Sequence, residues 1–406
     1  MAMTSRDPAI LRSAAGVSGL VGGVKRTVRA PRRGPTHPSA ARGAGAAHSP
    51  AARPAPGRRE EVAMRTFRIR TSFIVAALAL ALAPRANAWD RGRARVFATL
   101  PPGAAGPEGL EVDAHGRVYV ASFGFTSAGP ASGNGKIWVF DERGRLLREV
   151  TVAGSSPHLL GLRFHPGGFL LVNDFGGGQV LKVDPKTGAS SAFLTLPPLP
   201  DPAAGAGLND ITFDRAGNVY VSDSFQGIVW RTGPAGGVAS AWASSPLLRT
   251  TGVPPFGANG LRFNHAETAM FVANTGDDTI VEIPVTAGAD GPAAGSPSVF
   301  ANSVNGADGL VVDDEDDLWV VANQADEIVV LDPTGKTIAK LGDFEGLDGG
   351  APVGLLFPAS LRFLGGDLLV TNLSLDLRLF DPSFTTGDSA WCAAVSRYTV
   401  VRIRLR

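Results

Sequence analysis

The sequence predicts an all-β fold, a six-bladed β-propeller of four-stranded antiparallel blades, and three observations support this. A short pattern recurs six times at a near-constant spacing, most copies carry four segments of strand character, and the two ends of the repeated region supply complementary strands. Repeats of about 40–50 residues made only of strands are typical of propeller blades. A single blade cannot bury both of its faces, so the blades must stack around a ring.

Each copy has a two-residue lead, a short apolar strand, a Gly- or Asp-containing turn and a second strand. The copies are "EGLEVDAHGRVYVAS", "LGLRFHPGGFLLVND", "NDITFDRAGNVYVSD", "NGLRFNHAETAMFVAN", "DGLVVDDEDDLWVVAN" and "ASLRFLGGDLLVTN". Their first residues, which we call the leading residues, are Glu108, Leu160, Asn209, Asn259, Asp308 and Ala359. The intervals between them are 52, 49, 50, 49 and 51 residues, which predicts six blades.

Third and fourth strands follow in most copies, as in "GKIWVFD" and "LLREVTV" after the first. "ARVFATLP", from Ala94, resembles the fourth-strand segments, whereas the C-terminal "YTVVRIRLR" has third-strand character. We therefore predict that the ring is closed by pairing of the N- and C-terminal strands in the last blade. Residues 377–397 would then be an insertion in that blade; the alternative takes "LDLRLFD" as its third strand.

The first 88 residues do not follow the repeat. Residues 1–63 carry 11 Lys or Arg against 3 Asp or Glu and show little periodicity, which indicates a disordered basic leader or a mis-assigned start. Residues 64–88 have a basic start, an apolar run and an "ANA" end, which predicts a signal peptide cleaved before Trp89; a buried core helix is the alternative. We expect the propeller, residues 89–406, to be secreted or periplasmic.

Export changes the charge balance, because residues 1–88 hold 15 of the 38 basic residues and 3 of the 37 acidic residues. The remaining 23 basic and 34 acidic residues give the propeller a net charge near −11. Such a surface disfavours nucleic acid and suits a cation. The single cysteine, Cys392, excludes an internal disulfide, and no segment after residue 88 is apolar for long enough to span a membrane.

The leading residues should meet at one mouth of the central channel, because the first strand of each propeller blade lines it. Four of the six carry oxygen: Glu108, Asn209, Asn259 and Asp308. Carboxylate and amide oxygens are the ligands that a hard divalent cation such as Ca²⁺ prefers, and no paired His or Cys favours zinc. Polar residues at the start of a strand also cap turns, but two carboxylates aimed at one point would repel each other without a cation.

Other candidates lie around the same mouth. The residues that end the second strands are predicted mainly to cap loops: Ser122, Asp174, Asp223, Asn274, Asn323 and Asn372. Phe123 and Phe175 are candidates for the wall of a substrate pocket. His158 is a candidate for substrate contact, because it stands two residues before a leading residue. His115, His165 and His265 fall in turns on the opposite rim, where we expect them to be solvated.

The chain resembles the senescence-marker-protein/gluconolactonase family, which includes regucalcin-like lactonases. The resemblance rests on "PEGLEVD", "LNDITFDRAGNVYVSD", "ANGLRF" and "ADGLVVDDEDDLWVVANQADEIVVLDP". It implies that Glu108, Asn259 and Asp308 bind a divalent metal, that Asn209 lies near metal and substrate, and that Asp308 is the catalytic base. One departure is Gly207, which stands where family lactonases often carry an arginine.

The sequence therefore predicts an exported hydrolase of a small-molecule lactone or related ester, with a divalent cation, Ca²⁺ in the first instance, at the mouth of the propeller. Repeats such as "DRAGNVYVSD" also resemble NHL repeats, whose propellers mostly bind partners without a metal. The alternative is consequently a non-catalytic secreted propeller that binds a ligand or a protein at the same face.

Overall fold

Short alternating strands of the six sequence repeats pair as six antiparallel sheets in the computed structural model, which describes residues 91–288 and 291–405. The predicted leader (1–63) and signal peptide (64–88) lie outside the described residues. Each sheet contains the four strands of one blade. The innermost strands of neighbouring blades contact one another around a complete ring. The predicted six-bladed β-propeller is confirmed.

Four strands follow one another from the channel outwards in each blade. The innermost strands are Pro107–Val112, Leu159–Phe164, Leu208–Phe213, Ala258–Phe263, Ala307–Val312 and Pro358–Leu364. The second strands are Val118–Ser122, Leu170–Asp174, Val219–Asp223, Ala269–Asn274, Leu318–Ala322 and Asp367–Asn372. The third strands are Lys136–Phe140, Gln179–Val183, Ile228–Thr232, Thr279–Gly288, Glu327–Leu331 and Thr399–Arg404. The outermost strands are Leu146–Thr151, Ser190–Thr195, Ser240–Ser244, Ser298–Asn302, Thr337–Leu341 and Ala94–Thr99.

Short additional elements decorate the blades. The extra strands are Phe125–Thr126, Gly129–Pro130, Gly237–Val238, Gly291–Ala294, Phe344–Asp348 and Ala351–Gly354. The 3₁₀ helices are Pro246–Leu248, Asn323–Ala325 and Leu377–Leu379, and one α-helix spans Ser389–Ala394.

The sixth blade closes the ring by pairing the first and last strands of the propeller. The outermost strand Ala94–Thr99 pairs antiparallel with Thr399–Arg404, which pairs with the second strand of that blade. The C-terminal segment is thus the third strand, as predicted, and the alternative that used "LDLRLFD" is wrong, because Leu377–Leu379 forms a 3₁₀ helix. Residues 377–397 are an insertion, as expected.

A β-bulge at the start of every innermost strand decides which side chains face the channel. In the first blade Pro107 pairs with Ser122 but Leu110 pairs with Val120, so three steps on one strand oppose two on the other. The same irregularity occurs in the five other blades. A bulge shifts the two-residue alternation of side chains by one. Two positions three residues apart can therefore both face the channel.

Glycine after the leading residue lets the innermost strands approach closely. A Cβ atom on Gly109 would lie 2.3 Å from the carbonyl oxygen of Leu160 in the next blade, and one on Gly260 would lie 2.5 Å from that of Asp308. Because real Cβ atoms do not approach oxygen so closely, these positions require glycine. The repeated "xG" lead thus draws the leading residues toward one axis.

Candidate functional site

Five of the six leading residues line one cavity at the channel mouth. Glu108, Leu160, Asn209, Asn259 and Asp308 contribute to its wall, and each is at most 5% exposed. The cavity measures ≈ 30 Å³, which is room for an ion with a water molecule, since one water needs about 10–15 Å³ by the same measure. The predicted convergence of leading residues from separate blades is thus observed.

Four oxygen atoms of residues lining this cavity are buried without a hydrogen-bond partner among the described residues. They are Oε2 of Glu108, Oδ1 of Asn209, Oδ1 of Asp308 and Oδ1 of Asn323. All four are acceptors, and a buried acceptor without a partner costs about 1–3 kcal/mol. A donor set of two carboxylates and two amide oxygens fits a hard divalent cation of the Ca²⁺ type, with water completing its coordination.

The side-chain amides of Asn209 and Asn259 are oriented by hydrogen bonds that they donate to hydroxyl residues directly after the second strands. Nδ2 of Asn209 donates to Oγ of Ser224 over 3.4 Å, and Nδ2 of Asn259 donates to Oγ1 of Thr275 over 2.9 Å. In Asn209 this turns the amide oxygen, rather than the nitrogen, toward the cavity. The sequence analysis did not identify Ser224 and Thr275. The pattern that could have indicated them is a hydroxyl residue directly after the second strand in two neighbouring copies.

The two carboxyl groups are destabilised as anions in the absence of a cation. Burial raises the pKa of Asp308 to about 7, although Asn323 and Asn259 lower it through hydrogen bonds. Burial raises the pKa of Glu108 well above its usual value, and the neighbouring Asp308 raises it further. A divalent cation between them would reverse both effects, because an adjacent positive charge favours the ionised carboxylate.

Five of the six residues that end the second strands cap loops, as predicted: Ser122, Asp174, Asp223, Asn274 and Asn372. Asp223, for example, accepts from the backbone N–H groups of Gly207 and Gln226 at 2.9 and 3.1 Å. Asn323 differs, because its Nδ2 donates to Oδ2 of Asp308 over 3.0 Å. It lines the cavity and joins the candidate site.

The wall above the polar atoms is apolar. Phe123 lines the cavity, as proposed from the sequence. Phe175 packs edge-on against Phe123 with ring centroids 5.6 Å apart, and it stands behind the cavity wall. His158 also stands behind the wall, where its Nδ1 contacts the carbonyl oxygen of Phe123 at 2.7 Å and its ring stacks on Phe125.

The loop between the second and third strands of the sixth blade, residues 373–398, supplies part of this wall. Leu373, Leu375 and Leu377, the first residue of the insertion, line the cavity together with Phe256 and Phe357. Sequence reasoning placed the insertion correctly but did not assign it to the mouth, because which rim an insertion covers depends on the strand it follows. It follows the second strand, and that strand ends at the mouth.

Gly207 is closed to a larger side chain by its own surroundings. A Cβ atom there would lie 2.8 Å from the ring of Phe225, and Phe225 in turn stacks on Phe256 at 5.9 Å. A larger side chain at position 207 would therefore have to displace Phe225.

One expectation from the sequence is corrected. His165 is buried, not solvated: its Nε2 contacts the carbonyl oxygen of Gly217 at 2.9 Å, and its ring stacks on Phe169. Asp210, the residue after Asn209, accepts from the N–H of Ile211 and also pairs with Arg262 at 2.7 Å.

Metal-binding clusters built only from His, Cys, Asp or Glu are not found in residues 91–288 and 291–405, where no three such groups lie together suitably. A cation at the mouth would therefore need amide oxygens among its ligands. Within the same residues, no helix has the length and apolar character needed to cross a membrane.

Comparisons with known proteins agree with the fold and the motifs. Residues 157–342 match the family described as SMP-30/Gluconolactonase/LRE-like region, and residues 96–123 match a strictosidine synthase-like N-terminal family. A search of curated proteins finds no match.

Solved structures with the same fold include three informative examples. Regucalcin from Agrobacterium tumefaciens, described as a calcium-binding protein, is 16% identical, with 78% of this chain and 96% of that chain covered and a TM-score of 0.54. A luciferin-regenerating enzyme is 15% identical, with 75% and 92% covered and a TM-score of 0.52. A gluconolactonase from Xanthomonas campestris is 16% identical, with 82% and 93% covered and a TM-score of 0.50.

The resemblance inferred from the sequence is thereby confirmed: over residues 157–342 the chain is similar to the SMP-30/gluconolactonase/LRE-like family, and it shares the propeller fold of regucalcin.

Proposed function

We propose that the protein is a hydrolase of a lactone or related ester that depends on a divalent cation, with Ca²⁺ as the first choice. One observation carries this proposal. Glu108, Asn209, Asp308 and Asn323 place four unpartnered, buried oxygen atoms around a cavity of ion-sized volume. The match of residues 157–342 to a family named for gluconolactonase supports the reaction class.

Glu108, Asn259 and Asp308 would hold the cation, with Asn209 next to it. When bound, the cation polarises the substrate carbonyl and lowers the pKa of a coordinated water. Asn209 presents its amide oxygen to the same space because its Nδ2 is engaged by Ser224. The side chains thus orient the water and substrate without moving, which is the basis of electrostatic preorganisation.

Asp308 is the residue placed to transfer the proton. Its Oδ2 accepts from Asn323 at 3.0 Å, while its Oδ1 has no hydrogen-bond partner among the described residues, and Asp308 lines the cavity. As the water oxygen bonds to the carbonyl carbon, Oδ1 accepts the proton. As the ring C–O bond breaks, the same proton passes to the departing oxygen, which gives a hydroxy acid.

The substrate should be an apolar lactone or ester rather than a polyhydroxylated sugar lactone. Phe123, Phe256, Phe357, Leu375 and Leu377 line the cavity. Hydroxyl groups placed against these side chains would lose water without gaining partners, at about 1–3 kcal/mol each. Alkyl substituents would instead gain roughly 25 cal/mol per Å² of buried surface.

Admission of such a substrate requires the wall to move, because ≈ 30 Å³ holds an ion and a water but no lactone ring. The segment from Leu373 to Leu377 connects the second strand of the sixth blade to the insertion and is not part of a strand. Displacing it would open the mouth at the cost of the hydrogen bonds from Ser374 to the carbonyl oxygens of Phe357 and Leu356.

The test is an assay of the purified protein against alkyl-substituted and polyhydroxylated lactones of the same ring size. We expect Ca²⁺-dependent turnover, a preference of about tenfold or more for the alkyl lactones, and loss of activity in Asp308→Ala but not in Asp314→Ala, which removes an exposed carboxylate.

The outcomes separate the two candidate functions. Cation binding without turnover of any lactone or ester would leave the non-catalytic, ligand-binding propeller. Full activity in Asp308→Ala would reject the proposed proton transfer. We further propose that the protein is exported to the periplasm or beyond, which rests on the pattern of residues 64–88.

A further inference from the structure

A second ring of side chains lies three residues beyond the leading residues, because the bulges bring this position to the channel as well. Its members are Glu111, Arg163, Thr212, Arg262, Val311 and Arg362. All six line a cavity of ≈ 500 Å³ whose other walls include the inner-hairpin residues Arg215, Asn264 and His265. The cavity therefore opens at the end of the channel opposite the leading residues.

Ion pairs engage the one acid of this ring, Glu111, and the neighbouring Asp210. Oε2 of Glu111 contacts Nε of Arg163 at 3.0 Å and Nε of Arg362 at 3.5 Å. Oδ2 of Asp210 contacts Nη1 of Arg262 at 2.7 Å. Three guanidinium groups thus share two carboxylates, and the buried part of the cavity carries one positive charge in excess.

The unused hydrogen-bond donor of this group belongs to Arg262. This residue is 6% exposed, and its Nη2 is buried with no hydrogen-bond partner in the described parts of the chain. Its Nη1, by contrast, also donates to the carbonyl oxygen of Ile211 at 3.2 Å. A buried guanidinium N–H without an acceptor is costly. Arg262 lines an open cavity, and a ligand bound there could supply the acceptor.

Charged groups at the rim pair mainly with one another. The closest N–O distance between Arg215 and Glu267 is 4.0 Å, and His265 contacts Asp316 at 2.8 Å. These ion pairs of the rim therefore do not use Arg163, Arg262 or Arg362.

We propose that this cavity binds a small molecule through an oxyanion group, a carboxylate or a phosphate, held by Arg262 with Arg163 and Arg362. A planar guanidinium presents paired donors that match two oxygens of such a group. The volume suits a small metabolite, and Phe213, Phe263 and Phe363 would contact its apolar part. The site is separate from the cation site at the other mouth.

The test uses inorganic phosphate and acetate as probes in isothermal titration calorimetry on the full chain, free of metal and at low ionic strength. The wild type should bind at least one of them at a single saturable site. Binding of phosphate alone would assign a phosphate group, and binding of acetate alone a carboxylate.

Variants locate the site. Arg262→Lys keeps a charge for Asp210 but loses the paired donors, and should weaken binding about tenfold or more. Glu111→Gln frees two guanidinium groups and should tighten it. Arg143→Gln, which removes the charge of an exposed arginine, should leave the affinity unchanged.

The proposal is overturned if neither probe binds saturably, or if Arg262→Lys binds like the wild type while remaining folded. Equal losses in Arg262→Lys and Arg143→Gln would also overturn it, because they would indicate general attraction of anions. Should Arg262→Lys fail to fold, Arg163→Gln takes its place with the same expected loss, since Glu111 retains Arg362 as a partner.

Discussion

Asn323 donates from Nδ2 to Oδ2 of Asp308 over 3.0 Å, and Oδ1 of Asp308 is left without a hydrogen-bond partner among the described residues. A hydrogen bond between the same two positions recurs in two neighbouring blades, where Nδ2 of Asn209 donates to Ser224 and Nδ2 of Asn259 donates to Thr275. In each blade the residue that follows the second strand, 15 or 16 positions along the chain, orients the leading residue. The polar mouth is thus built from three repeats of one contact.

Thr275→Val tests this orienting role. The change keeps the shape of the side chain but removes the acceptor for Nδ2 of Asn259, so the amide can rotate. We expect calcium affinity to fall about tenfold, as for other residues that support metal ligands. Thr232→Val, at a buried threonine on the opposite rim, is the control and should bind calcium normally; equal affinity in both variants would contradict the role.

Asp308→Asn should stabilise the metal-free protein as it removes the cation site. Burial raises the pKa of Asp308 to about 7 from its ordinary 3.8. A raised carboxyl pKa contributes stability below the unfolded-state value and loses it as pH rises through the folded-state value. Metal-free wild type should therefore lose stability between about pH 4 and pH 7 relative to Asp308→Asn.

Urea unfolding in the presence of a chelator measures this difference. We expect Asp308→Asn to exceed the wild type by about 1–3 kcal/mol at pH 8 and by much less at pH 4. Comparison with the variant cancels other titrating groups, such as Asp326, whose pKa burial also raises to about 7. A difference that is independent of pH would show that Asp308 is not held in an unfavourable charged state.

Phe97→Ala tests closure of the ring by the N-terminal strand. Phe97 is 8% exposed and joins the largest apolar cluster, whereas its neighbour Val96 is 49% exposed. Removal of the buried ring should cost about 3–5 kcal/mol in unfolding free energy, and Val96→Ala should cost little. Similar, small effects of both variants in urea titrations would mean that the strand Ala94–Thr99 contributes little to stability.

Export makes a prediction about the mature N-terminus. Expression of the gene from the start at Met64 in a bacterial host should yield secreted or periplasmic protein beginning at Trp89, because the "ANA" sequence precedes it. N-terminal sequencing of that fraction measures this directly. Protein that remains in the cytoplasm with residues 64–88 attached would reject the signal peptide.

The sequence predicts most of the fold because each blade repeats the same local signals. The spacing of the leading residues indicated six blades, and the strand character of "ARVFATLP" and "YTVVRIRLR" indicated the closure, which the pairing of Ala94–Thr99 with Thr399–Arg404 confirms. Glu108, Asn209, Asn259 and Asp308 were identified because equivalent positions in a ring must converge.

Other parts of the mouth could not be predicted, because they depend on contacts between blades and loops. The sequence does not show that Phe225 closes the space beside Gly207, nor that Leu375 and Leu377, in the loop after the second strand of the sixth blade, line the cavity. The arginines of the second ring carried a signal in the repeated "LRF" of alternate blades. That these arginines face the channel could be recognised only from the bulges, because each bulge changes the side of the strand to which the following side chains point.

Calcium titration of the purified, metal-free protein is the most direct test of the central claim that side chains from separate blades form one cation site. Isothermal titration calorimetry should show one site in the wild type and in Asp314→Asn, and no such site in Asp308→Asn or Glu108→Gln. A wild type that binds no divalent cation, or an Asp308→Asn variant that binds calcium as tightly as the wild type, would contradict the account.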